Sequence, residues 1–116
     1  MRIVIVGVCG SGKSVLAEKL RTLGYDAHVV SQEHSYVPTL WRQSGPDILI
    51  YLDATLPTIR KRRQSDWGQE YLAEEQSRLA DARNACHLYV NTDSLKEDQV
   101  FRRVRRFLEK REGLRR

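Results

Sequence analysis

An α/β fold, with a mostly parallel four-stranded sheet between helices on both of its faces as a three-layer sandwich, is predicted by three features of this chain. Strand-like and helix-like segments alternate from one end to the other. The run Asp47-Ile48-Leu49-Ile50-Tyr51-Leu52-Asp53 is almost unbroken in its apolarity, as expected of a central parallel strand covered on both faces. A glycine-rich turn, Gly7 to Ser14, joins the first apolar run to the first amphipathic helix.

Taken in order, Ile3-Val4-Ile5-Val6 is the first strand, and right-handed crossovers place it centrally. A helix follows from Val15 to Leu23, with Leu16, Leu20 and Leu23 on one face and Gly24 ending it. Asp26 to Ser31 is a short second strand that runs into the polar cluster Gln32-Glu33-His34-Ser35. Pro38 to Gln43 is a short helix or turn, broken by Gly45-Pro46 ahead of the central strand. Thr55 is placed to cap a helix with Pro57 in its first turn, continuing to about Gln64. After the Ser65-Asp66-Trp67-Gly68 interruption, Gln69 to Ala85 is helical with a thin stripe of Leu72, Leu79, Ala82 and Cys86, so it reads as a mobile flap rather than a core helix. His87 to Asn91 is the last strand, and Ser94 is placed to cap a closing helix with Val100, Phe101, Val104, Phe107 and Leu108 at amphipathic spacing. Residues 1–112 then form one domain, 55–86 its helical lid-like segment, and 113–116 a flexible tail.

The turn Gly7-Val8-Cys9-Gly10-Ser11-Gly12-Lys13-Ser14 has the spacing G-x-x-x-x-G-K-S directly after a strand and before a helix. A polyphosphate needs several backbone N–H groups converging on it, and glycines let the chain curl that tightly. Lys13 adds a cation aimed at the β- and γ-phosphates, the Ser14 hydroxyl is placed to ligate Mg²⁺, and the helix N-terminus faces the phosphates. The residues expected to hold a nucleoside triphosphate, ATP or another, are therefore Gly7, Val8, Cys9, Gly10, Ser11, Gly12, Lys13, Ser14 and Val15.

Composition narrows the class. The 116 residues are 41% hydrophobic and 30% charged, which suits a folded domain rather than a disordered chain. No apolar run approaches a membrane span and the first residues enter a strand at once, so a cytoplasmic location without a membrane partner is expected. Cys9 and Cys86 have neither metal-ligand spacing nor a disulfide framework, which agrees with a reducing compartment. The net charge of +5 is concentrated at the end, where Arg102, Arg103, Arg105, Arg106, Lys110, Arg111, Arg115 and Arg116 oppose only Glu109 and Glu112. That helix could meet nucleic-acid phosphates, but no aromatic residues interleave with its arginines on the polar face, so a solvated face is the favoured account.

The chain resembles the P-loop nucleoside and small-molecule kinases, the group that includes adenylate, shikimate, gluconate and dephospho-coenzyme A kinases. The resemblance rests on the G-x-x-G-S-G-K-S form of the loop, on Tyr51-Leu52-Asp53-Ala54 followed by an arginine-rich helix, and on the passage from Leu79 to Asp93. It implies a minimal P-loop NTPase-like sandwich that transfers a phosphoryl group from Mg·ATP to an acceptor. Lid arginines in that group neutralise charge on the transferred phosphoryl, which here singles out Arg63 and Arg83, with Arg60 and Arg78 on the same two helices.

The chain departs from that group between the second strand and Tyr51. Ser31 to Pro46 is too short to hold the usual acceptor-binding segment and the strand with the metal-organising aspartate. Either the second strand lies beside the first and Glu33 takes that metal role, or the role is vacant. His34 beside it reads as a surface residue rather than a general base, Trp41 and Trp67 either stack on a ligand or pack, and Asp53 has a local role at the start of the Thr55 helix. The acceptor is not identified by the sequence, and a homodimer across an open sheet edge could complete its site. A complete loop also fits a module that binds nucleotide and transfers nothing.

Overall fold

The computed structural model describes residues 1–114. Strand β1 (Arg2–Gly7) runs into helix α1 (Lys13–Thr22), followed by β2 (Asp26–Val29) and two 3₁₀ turns at Gln32–His34 and Leu40–Ser44. Strand β3 (Ile48–Asp53), helices α2 (Leu56–Arg63) and α3 (Gln69–Ala85), strand β4 (Leu88–Asn91) and helix α4 (Glu97–Leu114) complete the chain. The four strands are parallel in the order β2-β1-β3-β4, so β1 and β3 are the inner pair.

Because a strand turns alternate side chains to opposite faces, the inner strands feed two cores. Ile3, Ile5, Ile48, Ile50 and Leu52 face α1 and α4, meeting Leu16, Leu20, Val104 and Leu108. Val4, Val6, Leu49 and Tyr51 face α2 and α3, meeting Ile59, Leu72, Leu79 and Ala82. The predicted three-layer α/β arrangement is thus present, and the unbroken apolar runs of β1 and β3 are explained by burial on both faces. Each large aliphatic side chain on these faces contributes roughly 1.5–3 kcal/mol by its burial. The arginine-rich side of α4 is exposed at Arg102, Arg103, Arg105 and Arg106, opposite the buried stripe of Val100, Val104 and Leu108. Among the described residues no helix is long and apolar enough to cross a membrane.

Several boundaries and roles differ from those expected. Helix α3 lies on the sheet and buries Leu72, Glu75, Leu79 and Ala82, so it is a covering helix of the second core and not a free flap. Its apolar stripe looks thin because one of its buried positions is a glutamate. Ser94 lies in a turn ahead of α4, and the helix starts at Glu97, where the Lys96 N–H donates to Gln99 Oε1 at 2.7 Å. Thr55 precedes α2 as expected but makes no side-chain capping bond; its own N–H donates to Asp93 Oδ1 at 2.8 Å. Helix α4 continues to Leu114, so residues 113 and 114 belong to it rather than to a tail; Arg115 and Arg116 lie outside the described residues.

Candidate functional site

Strand β1 delivers the Gly7–Ser14 loop to the carboxyl edge of the sheet, between the two inner strands and the start of α1. Gly7 opposes Leu52 in the register, and a methyl at Gly7 would lie far inside contact with the Leu52 carbonyl oxygen. Gly12 is left-handed, with φ 100°, and hands the chain into α1 without a side-chain cap. No side chain therefore caps the N–H groups of the first turn of α1.

Lys13 opens α1 and its ammonium folds back over the loop. It donates to the Gly7 carbonyl at 2.9 Å, to the Val8 carbonyl at 3.0 Å and to Glu33 Oε2 at 2.6 Å. Glu33 is there because β2 pairs directly with β1, and the 3₁₀ turn that ends β2 emerges beside the loop. Its carboxylate is buried, and the second oxygen, Oε1, has no hydrogen-bond partner. The Ser11 hydroxyl, also in the loop, is buried and unpartnered as well. Ser14 lies exposed on the first turn of α1.

The rest of the loop is tied to distant elements. The Cys9 N–H donates to Glu75 Oε1 of α3 at 2.9 Å. Burial raises the Cys9 thiol and the Glu75 carboxyl above their ordinary ranges; Arg63 opposes the first shift and the Cys9 N–H the second. Arg62, in the last turn of α2, donates to the Gly10 carbonyl at 3.0 Å, to Thr92 Oγ1 at 2.9 Å and to the Thr92 carbonyl at 2.5 Å. Thr92 Oγ1 in turn donates to the Ser11 carbonyl at 3.0 Å. Beside this clamp, a cavity of about 440 Å³ is lined by Gly10, Gly12, Val15, Arg62, Thr92 and Lys96.

The two arginines singled out in the sequence have different positions. Arg63 lies against the loop, its Cγ and Cδ beside Gly10. Arg83 sits on another cluster, its guanidinium 4.7 Å above the Tyr89 ring and 3.9 Å from Asp53 Oδ2. Arg78 bonds the Glu33 carbonyl at 3.2 Å and covers the Tyr36 ring at 4.7 Å. Gln32, fully buried, donates to the carbonyls of Val37 and Arg78 and accepts from the Trp41 N–H, which fastens the whole Ser31 to Pro46 connection onto α3. Trp41 packs in the second core with its indole N–H on Asp81 Oδ2 at 3.0 Å, and Trp67 packs at its margin against Tyr71.

Asp53 accepts from the Ala54 N–H at 2.9 Å, ahead of α2 and not, as expected, within its first turn, and also from the Tyr89 hydroxyl at 2.5 Å. Burial and the neighbouring carboxylate push Tyr89 up to about 12. In an unfolded chain tyrosine ionises near 10, so the stabilising effect of its neutral form is complete below that pH. It is lost as pH rises from about 10 through 12. An alkaline ultraviolet titration should show Tyr89 ionising together with loss of structure, and Tyr89→Phe should remove that step.

Glu75, Arg62 and Thr92 were not legible as site residues. The only local trace is that Glu75 falls on the Leu72, Leu79, Ala82 face of its helix, where a charge has no place without a partner. No family model matches this chain, and no curated protein does.

Proposed function

We propose that this chain is a small phosphotransferase of the P-loop kinase type, binding ATP or another nucleoside triphosphate with Mg²⁺ on Gly7 to Val15. The observation that carries this reading is the Lys13 ammonium held over the Gly7 and Val8 carbonyls at the mouth of a glycine loop. Two further facts agree with an anionic ligand there. The first turn of α1 is uncapped, and the buried Ser11 hydroxyl lacks a partner.

In this account the bound nucleotide supplies the transferable phosphoryl group, and the chain's own residues position it. Lys13 exchanges its loop carbonyls for the β- and γ-phosphates, and loop N–H groups take the remaining phosphate oxygens. Ser14 and Glu33 hold the metal side. The cavity beside Val15, Thr92 and Lys96 takes the base and ribose. Of the two arginines singled out, Arg63, with its side chain against Gly10, is the better placed to meet developing charge, whereas Arg83 would have to leave Tyr89 and Asp53 to take part. The acceptor would be received by the Gln32 to Arg42 segment or by a second copy of the chain.

A second reading, a module that binds nucleotide without transferring it, is favoured by the engagement of Arg83 elsewhere and by the packing of α3 on the sheet. Phosphate release from Mg·ATP separates the two. A kinase-type site predicts that Arg63→Ala lowers turnover roughly a hundredfold, with nucleotide affinity little changed. Residual hydrolysis that is indifferent to both Arg63→Ala and Arg83→Ala supports the binding module instead.

A further inference from the structure

We propose that Cys9, His34 and Glu75 form a binding site for a borderline-soft divalent cation of the zinc class, set against the inner side of the glycine loop. The three residues come from three elements: the loop after β1, the 3₁₀ turn after β2 and the middle of α3. Their ligand atoms, the thiol sulfur, an imidazole nitrogen and a carboxylate oxygen, all lie within 4.8 Å of one another. Ligand atoms around a tetrahedral zinc stand about 3.5 Å apart, given its usual bond lengths to sulfur, nitrogen and oxygen.

A second observation points the same way. The Glu33 carboxylate, 4% exposed, lies at the edge of the group with Oε2 3.9 Å from His34 Nε2, and its Oε1 is buried without a partner. Two buried carboxylates, Glu33 and Glu75, therefore share this pocket, and Lys13 is bonded to only one of them. Lys13 and Arg63 both lie near, so what a cation would newly satisfy here is the unpartnered Glu33 Oε1. His34 is largely exposed while Cys9 and Glu75 are buried, so the imidazole stands at the entrance and gives a cation a path in.

The donor set decides the type of ion. Magnesium and calcium favour all-oxygen shells, whereas a thiolate with an imidazole and one carboxylate suits zinc. Three protein ligands leave a fourth position for water or for Glu33. On binding, the Cys9 thiol gives its proton to solvent and a sulfur–metal bond replaces the S–H bond, with no change of oxidation state. Because the Cys9 N–H already donates to Glu75, a bound cation would clamp the loop to α3.

The test uses Co²⁺ as a spectroscopic stand-in, added to the full chain after chelator treatment and with no nucleotide present. A thiolate-to-cobalt charge-transfer band that saturates at one ion per chain is expected, bleached by added Zn²⁺ and untouched by excess Mg²⁺. Cys9→Ser should abolish the band. His34→Ala, an exposed and fold-neutral change, should weaken Co²⁺ binding roughly tenfold or more. The proposal is overturned if the wild-type chain gives no thiolate band, if Mg²⁺ displaces the ion, or if His34→Ala binds as tightly as the wild type. Since nucleotide is absent, failure here leaves the phosphotransferase reading untouched.

Discussion

Lys13→Ala should lose roughly 3 kcal/mol of folding stability, and adding Glu33→Gln should return most of it. Both charged groups are nearly out of solvent, with the lysine side chain 10% exposed and the glutamate 4%, and their closest atoms are 2.6 Å apart. Removing the ammonium leaves a buried carboxylate without its ion-pair and hydrogen-bond partner, a larger penalty than the pair's own net value. The amide of the double variant carries no charge, so the penalty falls away. Urea unfolding of the wild type, the single variants and the double variant measures this as a coupling. Equal midpoints for the wild type and Lys13→Ala would mean that the ion pair is dispensable. The same lysine is the group proposed to meet the phosphates, so the double variant is the right background for testing binding without a folding defect.

Gly7→Ala is expected to be worse tolerated than any other single methyl addition in the loop. The new carbon would collide with the Leu52 carbonyl, which is backbone in the neighbouring inner strand and cannot rotate away. Either β1 and β3 separate at the site's edge or the loop shifts, and overpacking of that kind costs about 3 kcal/mol or more. Gly12→Ala meets open space, and its cost comes only from the left-handed backbone, about 1 kcal/mol. Thermal unfolding of the two variants should therefore rank Gly7→Ala well below Gly12→Ala. The reverse order would show that the sheet edge is more compliant than its packing implies.

The parts of the fold that depend on local pattern were readable in advance. Continuous apolar runs announced β1 and β3, the Leu16 and Leu20 spacing announced α1, and α3 was placed at 69–85 between the Ser65–Gly68 interruption and the strand from His87. The glycine spacing of the Gly7–Ser14 loop is equally local. What escaped depends on contacts between residues remote in sequence. Glu75 meets Cys9 across 66 positions, and Arg62 meets Thr92 across 30. No periodicity records such pairs. Helix α3 was misjudged for the same cause: beside its Leu72, Leu79 and Ala82 stripe on the sheet, it is held by Glu75 under the loop and by the Gln32–Trp41 segment fastened to it, neither of which enlarges an apolar stripe. Glu33 lay between these cases. Its role depended on β2 lying next to β1, a choice the sequence left open and the sheet order decides in favour of proximity to Lys13.

The central claim is that the glycine loop binds a nucleoside triphosphate through Lys13. Calorimetric titration of Mg·ATP at moderate salt, into the wild type, Glu33→Gln and Lys13→Ala/Glu33→Gln, tests it most directly. The account predicts one site per chain in the wild type, and an affinity at least roughly a hundredfold weaker in the double variant than in Glu33→Gln, about 2.7 kcal/mol. No binding by the wild type, or equal binding by the two variants, would contradict it.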